Sequence, residues 1–173
     1  MSSTHTTIEP VPNASFASAD LHPEVAALDL DLVRHKLAEP DDGSTPLTGE
    51  VLGYALDEYR RYLTLVVSNP TTPLVPTKLI DRVWHAHILD TRRYAADCDR
   101  IFGHFMHHDP SLGIGGEQAV AQLNAMFDIT AAIYEARFAE SYRRDAASRC
   151  EGHACHAPSS CACRTPGACK SMS

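Results

Sequence analysis

Five of the chain's ten histidines fall in one stretch, DRVWHAHILDTRRYAADCDRIFGHFMHHDP, residues 81 to 110. Neutral imidazole is a ligand for zinc, copper and iron, so the grouping raises the chemistry of a transition-metal site. Asp81 precedes His85 by four residues, which puts both on one face of a helix. A carboxylate there can hold one imidazole nitrogen and leave the other for a metal. His87 lies about 200° from His85 around a regular helix, so the two cannot share an ion unless the helix departs from regularity. Two arrangements stay open: Asp81 and His85 form their own cluster, or a kink or π-bulge near Ala86 brings both histidines together. The remaining ligands are expected from GHFMHHD, where His108, followed by Asp109 and Pro110 that would fix the loop, is favoured over His104 and His107. The expected metal set is therefore Asp81, His85, His87 and His108, with Tyr94 placed to donate a hydrogen bond or a proton. The competing reading is an ordinary core helix with hydrogen-bonded histidines, in which Asp81 and His85 are a surface pair worth about 0.5 kcal/mol. Neither HExxH nor CxxC is present to decide between them.

A second concentration of ligands lies at the C-terminal end. Cys150, Cys155, Cys161, Cys163 and Cys169 are five of the six cysteines, with His153 and His156 among them. Cys161-x-Cys163 can chelate a soft ion, although the spacing is not that of a zinc ribbon. With almost nothing apolar to bury, residues 147–173 read as a tail able to capture metal.

These residues must be positioned by helices. Residues 1–22, rich in Ser, Thr, Pro and Ala, read as a flexible arm, and residues 23–146 as one helical domain. Pro23 opens a first helix with Val25, Leu28, Leu32 and Leu37 at near-helical spacing, ended by EPDDGSTP. A second runs from Thr48 to about Asn69, with Val51, Tyr54, Ala55, Tyr59, Tyr62, Leu63 and Val66 on its apolar face. NPTTPLVP stops it. The third is capped by Thr77 and is expected to run to about Phe102, before Gly103. On it Ile80, Trp84, His87, Thr91, Tyr94, Cys98 and Ile101 make one inward stripe, which buries His87 beside the Thr91 hydroxyl. A fourth, from Gly116 or Glu117 to about Asp145, carries Ala119, Leu123, Met126, Phe127, Ile133 and Phe138 near one face. No strand-like alternation occurs, so the expected fold is all-α, a compact bundle of about four helices.

The bulk composition narrows the partners. A net charge of −7 opposes binding to nucleic acid or anionic membrane. No apolar run approaches about 18 residues, and the N-terminal segment has no secretory pattern, which points to the cytoplasm. A small molecule or a protein is the expected partner.

The combination Asp81-x-x-Trp84-His85-x-His87, followed by Tyr94, Asp97, Gly103, His108 and Asp109, resembles the core of the glycine-rich domain-containing protein-like family over about residues 45 to 112. The resemblance implies that Asp81, His85, His87 and His108 act as a set. Larger members carry glycine-rich segments and are linked to stress responses and interaction roles. This chain departs from that layout, with only nine glycines and a cysteine-rich tail. The sequence thus supports two functions: a metal-dependent enzyme, or a metal-handling or protein-interaction module whose tail captures the ion.

Overall fold

The computed structural model describes residues 20–142, and every regular element among them is a helix. They are α1 (Pro23–Ala26), α2 (Asp31–Ala38), α3 (Gly49–Ser68), α4 (Lys78–Ile88), α5 (Thr91–Phe102) and α6 (Glu117–Phe138). The fold is all-α, as the periodicity predicts. The number of helices differs because two predicted helices are each broken by an aspartate.

The first break follows α1, where Asp29 Oδ1 accepts the Asp31 amide at 3.0 Å. Such a local side-chain bond gives the backbone an alternative to the helix. Rotating the chain there buries Leu30 and Val33 and leaves Leu32, expected inside, 40% exposed. The second break comes at Asp90, whose ψ of 71° is non-helical and whose amide reaches back only to the His87 carbonyl. A new helix starts at Thr91. Two short stripes replace the single long one: Ile80, Val83, Trp84 and His87 on α4, and Tyr94, Cys98 and Ile101 on α5. Thr91 is exposed and takes no part. Because the break falls after His87, the helix around Ala86 is regular.

α3 is the centre of the domain and packs against α1, α2, α4 and α6. Its buried face is Leu52, Ala55, Leu56, Tyr59, Tyr62 and Leu63, while Val51 faces out at 42% exposure. α6 ends at Phe138 rather than near Asp145, through Ala139 in the left-handed region at φ 53°. The chain then turns back, and the Tyr142 hydroxyl donates to the Val75 carbonyl and accepts from the Thr77 amide. Thr130 Oγ1 accepts the Val75 amide, and Tyr62 donates to the Leu74 carbonyl. The proline-containing connection before α4 is thus tied to both α3 and α6. Thr77 caps α4 as expected, its hydroxyl oxygen accepting the Ile80 amide at 3.3 Å.

A buried ionic group joins α3 to the end of α6. Arg61 donates to Glu58, Glu140 and the Tyr134 hydroxyl, and Tyr134 donates to Glu58 at 2.8 Å. Phe138 covers the guanidinium at 5.0 Å. The Arg61 side chain itself is buried, 5% exposed.

Candidate metal centre

Asp81 lies in the first turn of α4 and His85 one turn later, so the helix itself aims both at the same space. His85 Nδ1 stands 3.6 Å from Asp81 Oδ2. The third member arrives from the loop after α5. Gly103, with φ 72°, caps that helix in a conformation that favours glycine and lets the chain reverse. Tyr94 then donates to the Met106 carbonyl at 2.6 Å and accepts from Trp84 Nε1 at 2.8 Å. Two residues beyond this clamp, the His108 ring lies 4.7 Å from the Trp84 ring and 4.6 Å from the His85 ring. Asp109 secures the far side by accepting the Ser111 amide and hydroxyl.

His108 Nε2 comes to rest 3.0 Å from Asp81 Oδ1 and 3.1 Å from His85 Nε2. One ligand atom from each of Asp81, His85 and His108 lies within 4.8 Å of the others. The three side chains are 10%, 11% and 13% exposed. Protons alone satisfy this geometry poorly. A neutral imidazole carries one N–H, and His108 Nε2 faces both a carboxylate and a second ring nitrogen. If its hydrogen serves Asp81, it serves His85 less well. A cation would use all three lone pairs together. Bonds of about 2.0–2.1 Å to a tetrahedral zinc set donor–donor edges of about 3.3 Å, close to the two shortest separations here.

His87, expected among the ligands, stands outside this group on the opposite face of α4, and both its ring nitrogens are engaged. Nδ1 is 2.9 Å from the Tyr59 hydroxyl and Nε2 is 3.2 Å from Asp97 Oδ2. A carboxylate only accepts, so Nε2–H donates to Asp97 and Nδ1 accepts from Tyr59. Burial lowers the His87 pKa against the opposing pull of Asp97, consistent with a neutral ring. Its partners are Tyr59 and Asp97, not Thr91. Tyr94 donates a hydrogen bond, to the Met106 carbonyl rather than into the cluster. Its hydroxyl also accepts from Trp84, and burial raises its pKa far above the ordinary range, so in this structure it holds the loop.

His104 bonds the Phe102 carbonyl, and His107 packs against the Phe105 ring at a tilt, so neither joins the cluster. Cys98 is a buried free thiol on the α5 stripe, as its position predicts, and burial pushes its pKa up. Cys150, Cys155, Cys161, Cys163 and Cys169 lie outside the described residues. Sequence reasoning missed the Tyr59–His87 bond and the Glu58–Arg61–Tyr134 group. The available signal was a tyrosine on an inward stripe, whose hydroxyl must find a buried partner.

Fold and cluster together define a small all-helical domain with a candidate three-residue metal centre of two histidines and one aspartate. Residues 44–132 match the UCP032817-like family, and the chain belongs to that family. The matched span contains α3, α4, α5 and all three cluster residues. No curated protein and no solved structure matches the chain. Among the described residues no helix is long and apolar enough to cross a membrane.

Proposed function

We propose that the domain binds one divalent transition-metal ion through Asp81, His85 and His108. The observation that carries this reading is the convergence of an aspartate oxygen and a second imidazole on His108 Nε2, at 3.0 and 3.1 Å, within a mostly buried cluster. Two imidazoles and a carboxylate suit zinc and iron, and copper less specifically. Three protein ligands are the set of a working site, since a structural zinc takes four. The remaining position would accept water or a small-molecule ligand, and the ion would supply Lewis-acid polarisation there. The resemblance to the glycine-rich domain-containing protein-like family favours the same residues, except that His87 serves as a packing and positioning group. A cytoplasmic setting fits a chain with a free buried thiol and further cysteines.

The test is elemental analysis of the purified full chain, with zinc, iron and cobalt titrations of the metal-stripped protein. One equivalent is expected in the full chain, with loss in Asp81→Asn, His85→Ala and His108→Ala and retention in His104→Ala. A full chain that neither retains nor takes up metal overturns the reading, as does metal that survives all three cluster substitutions.

A further inference from the structure

The helix that carries two of the three cluster residues begins with a cation in an unfavourable place. Lys78 is the first residue of α4 after the Thr77 cap, where a positive charge opposes the helix dipole. It is half-buried, and among the described residues its ammonium has no hydrogen-bond or ion-pair partner. Asp81 is the one acid in α4 and is already engaged, with Oδ1 3.0 Å from His108 and Oδ2 3.6 Å from His85. Arg82, the next cation on the helix, donates to the Ser44 hydroxyl and the Thr45 carbonyl instead.

Lys78 also stands on the face of the cluster. It precedes Asp81 by three residues, about 4.5 Å along the axis, a rise its flexible four-carbon stem can cover. The seven residues from Lys78 to His85 make nearly two full turns, so the two differ by only about 20° around the axis. A divalent ion held by one carboxylate and two neutral imidazoles keeps a net single positive charge, and Lys78 adds a second. Charge held away from water is costly unless it is paired. One carboxylate group meets both demands, since one oxygen can take the open position on the ion while the other accepts from Lys78. Beyond His85 the same face turns apolar. Leu89, one turn further on and about 40° away, is 67% exposed, and Ile88 beside it is half-buried. A carboxylate with a short apolar tail matches both ends of this row, whereas a free phosphate leaves Leu89 uncovered.

We propose that the open position of the Asp81–His85–His108 centre takes a small organic carboxylate, its second oxygen held by Lys78 and its apolar tail laid along Leu89. This rests on the metal reading above and names the ligand class of that site. The carboxylate replaces water on the ion, the water leaves to solvent, and no covalent bond of the guest changes.

The experiment uses the full chain loaded with one equivalent of Co(II), titrated at constant ionic strength with acetate, 3-methylbutanoate and inorganic phosphate. The visible cobalt bands report a new donor in the coordination sphere. Lys78→Met and Leu89→Ser are compared with Lys36→Met, a control at an exposed lysine on α2. Both carboxylates are expected to shift the bands. 3-Methylbutanoate should bind at least about fivefold more tightly than acetate, because each fully buried methylene is worth up to about fourfold. Lys78→Met should still bind one Co(II) and weaken both carboxylates by about tenfold or more, the loss of a charge-assisted hydrogen bond. Leu89→Ser should abolish the preference for 3-methylbutanoate and leave acetate unchanged, and Lys36→Met should change neither. Carboxylate binding that Lys78→Met leaves intact overturns the proposal, as do a preference that survives Leu89→Ser, phosphate bound more tightly than 3-methylbutanoate, or no band shift with either carboxylate. Each of these outcomes leaves the three-residue metal site standing. Loss of cobalt from Lys78→Met also overturns it, because Lys78 would then serve the ion or the fold and not a guest. Cobalt bound by no form, the unaltered chain included, overturns the metal reading and this one with it.

Discussion

Tyr94→Phe separates the positioning of the cluster from its ligands. The substitution removes one oxygen and with it the part-buried bond from Tyr94 to the Met106 carbonyl, the buried bond from Trp84 Nε1 to Tyr94, and the hydroxyl's contact with the Cys98 thiol. Each orphaned group costs about 1–3 kcal/mol, and the hydroxyl's own desolvation is recovered, so a net loss of about 2–4 kcal/mol follows. In a domain of about 120 residues this lowers Tm by roughly 8–15 °C. The informative effect is on metal. The Met106 bond lies two residues before His108, and Trp84 is one of the rings against which His108 packs. Loss of an outer-shell partner costs about 10–100-fold in metal affinity. Calorimetric unfolding and Co(II) titration measure the two quantities on one preparation. Tyr134→Phe is the control, since it breaks a comparable buried network between α3 and α6 that contains no cluster residue. It should lower Tm and leave cobalt affinity unchanged. If Tyr94→Phe lowers Tm as calculated and weakens cobalt by less than about threefold, the clamp does not position His108.

Saturating zinc, at a hundred times its dissociation constant, should stabilise the fold by about 2.7 kcal/mol, raising Tm by roughly 8–13 °C. The rise should vanish in His108→Ala; an equal rise there refutes the assignment. Trp84 is the sole tryptophan, 4.7 Å from the His108 ring, so Cu(II) or Co(II) at the cluster should quench its fluorescence in step with binding. Saturation at one equivalent is expected, with no response in His85→Ala/His108→Ala. Arg61→Met removes the Arg61 cation from Glu58 and Glu140 and should cost about 3–5 kcal/mol by urea unfolding. Adding Glu58→Gln should recover part of that loss, and no recovery would show that the pair is not coupled. Cys98 is buried with a raised thiol pKa, so peptide-resolved alkylation at neutral pH should proceed only through opening of the domain and slow when zinc is added.

The helical class, the Thr77 cap, the Gly103 stop and the Asp81–His85 face were all legible, because each depends on residues within one or two turns. So was the preference for His108 over His104 and His107, which followed from the residues just after it. Two interior breaks were not, since an aspartate in a helix-like pattern is tolerated or disruptive according to what the next segment can bury. Asp29 and Asp90 each end a helix where a new stripe gains a core face: Leu30 and Val33 in one case, Tyr94 and Cys98 in the other. The partners of His87 were illegible for the same reason. Thr91 was one turn away on an unbroken helix, whereas Tyr59 comes from α3 and Asp97 from α5.

The pair of histidines flanking Ala86 therefore divides two tasks that one helix must perform. Asp81 and His85 both face His108 only if α4 holds a fixed rotation about its axis, and an apolar stripe fixes rotation loosely because hydrophobic contact is non-directional. His87 supplies the missing direction. With Nδ1 accepting from Tyr59 and Nε2–H donating to Asp97, the ring is tied to helices on both sides of α4 by bonds that weaken steeply with angle. Turning α4 by one residue, about 100°, would break both bonds and carry His85 away from His108. The chain beyond α5 then closes the arrangement from the other direction, through Tyr94, Trp84 and the loop that presents His108. A histidine absent from the cluster thus matters to it, and its buried, neutral, doubly bonded ring is the physical reason that two imidazoles two residues apart need not be two ligands.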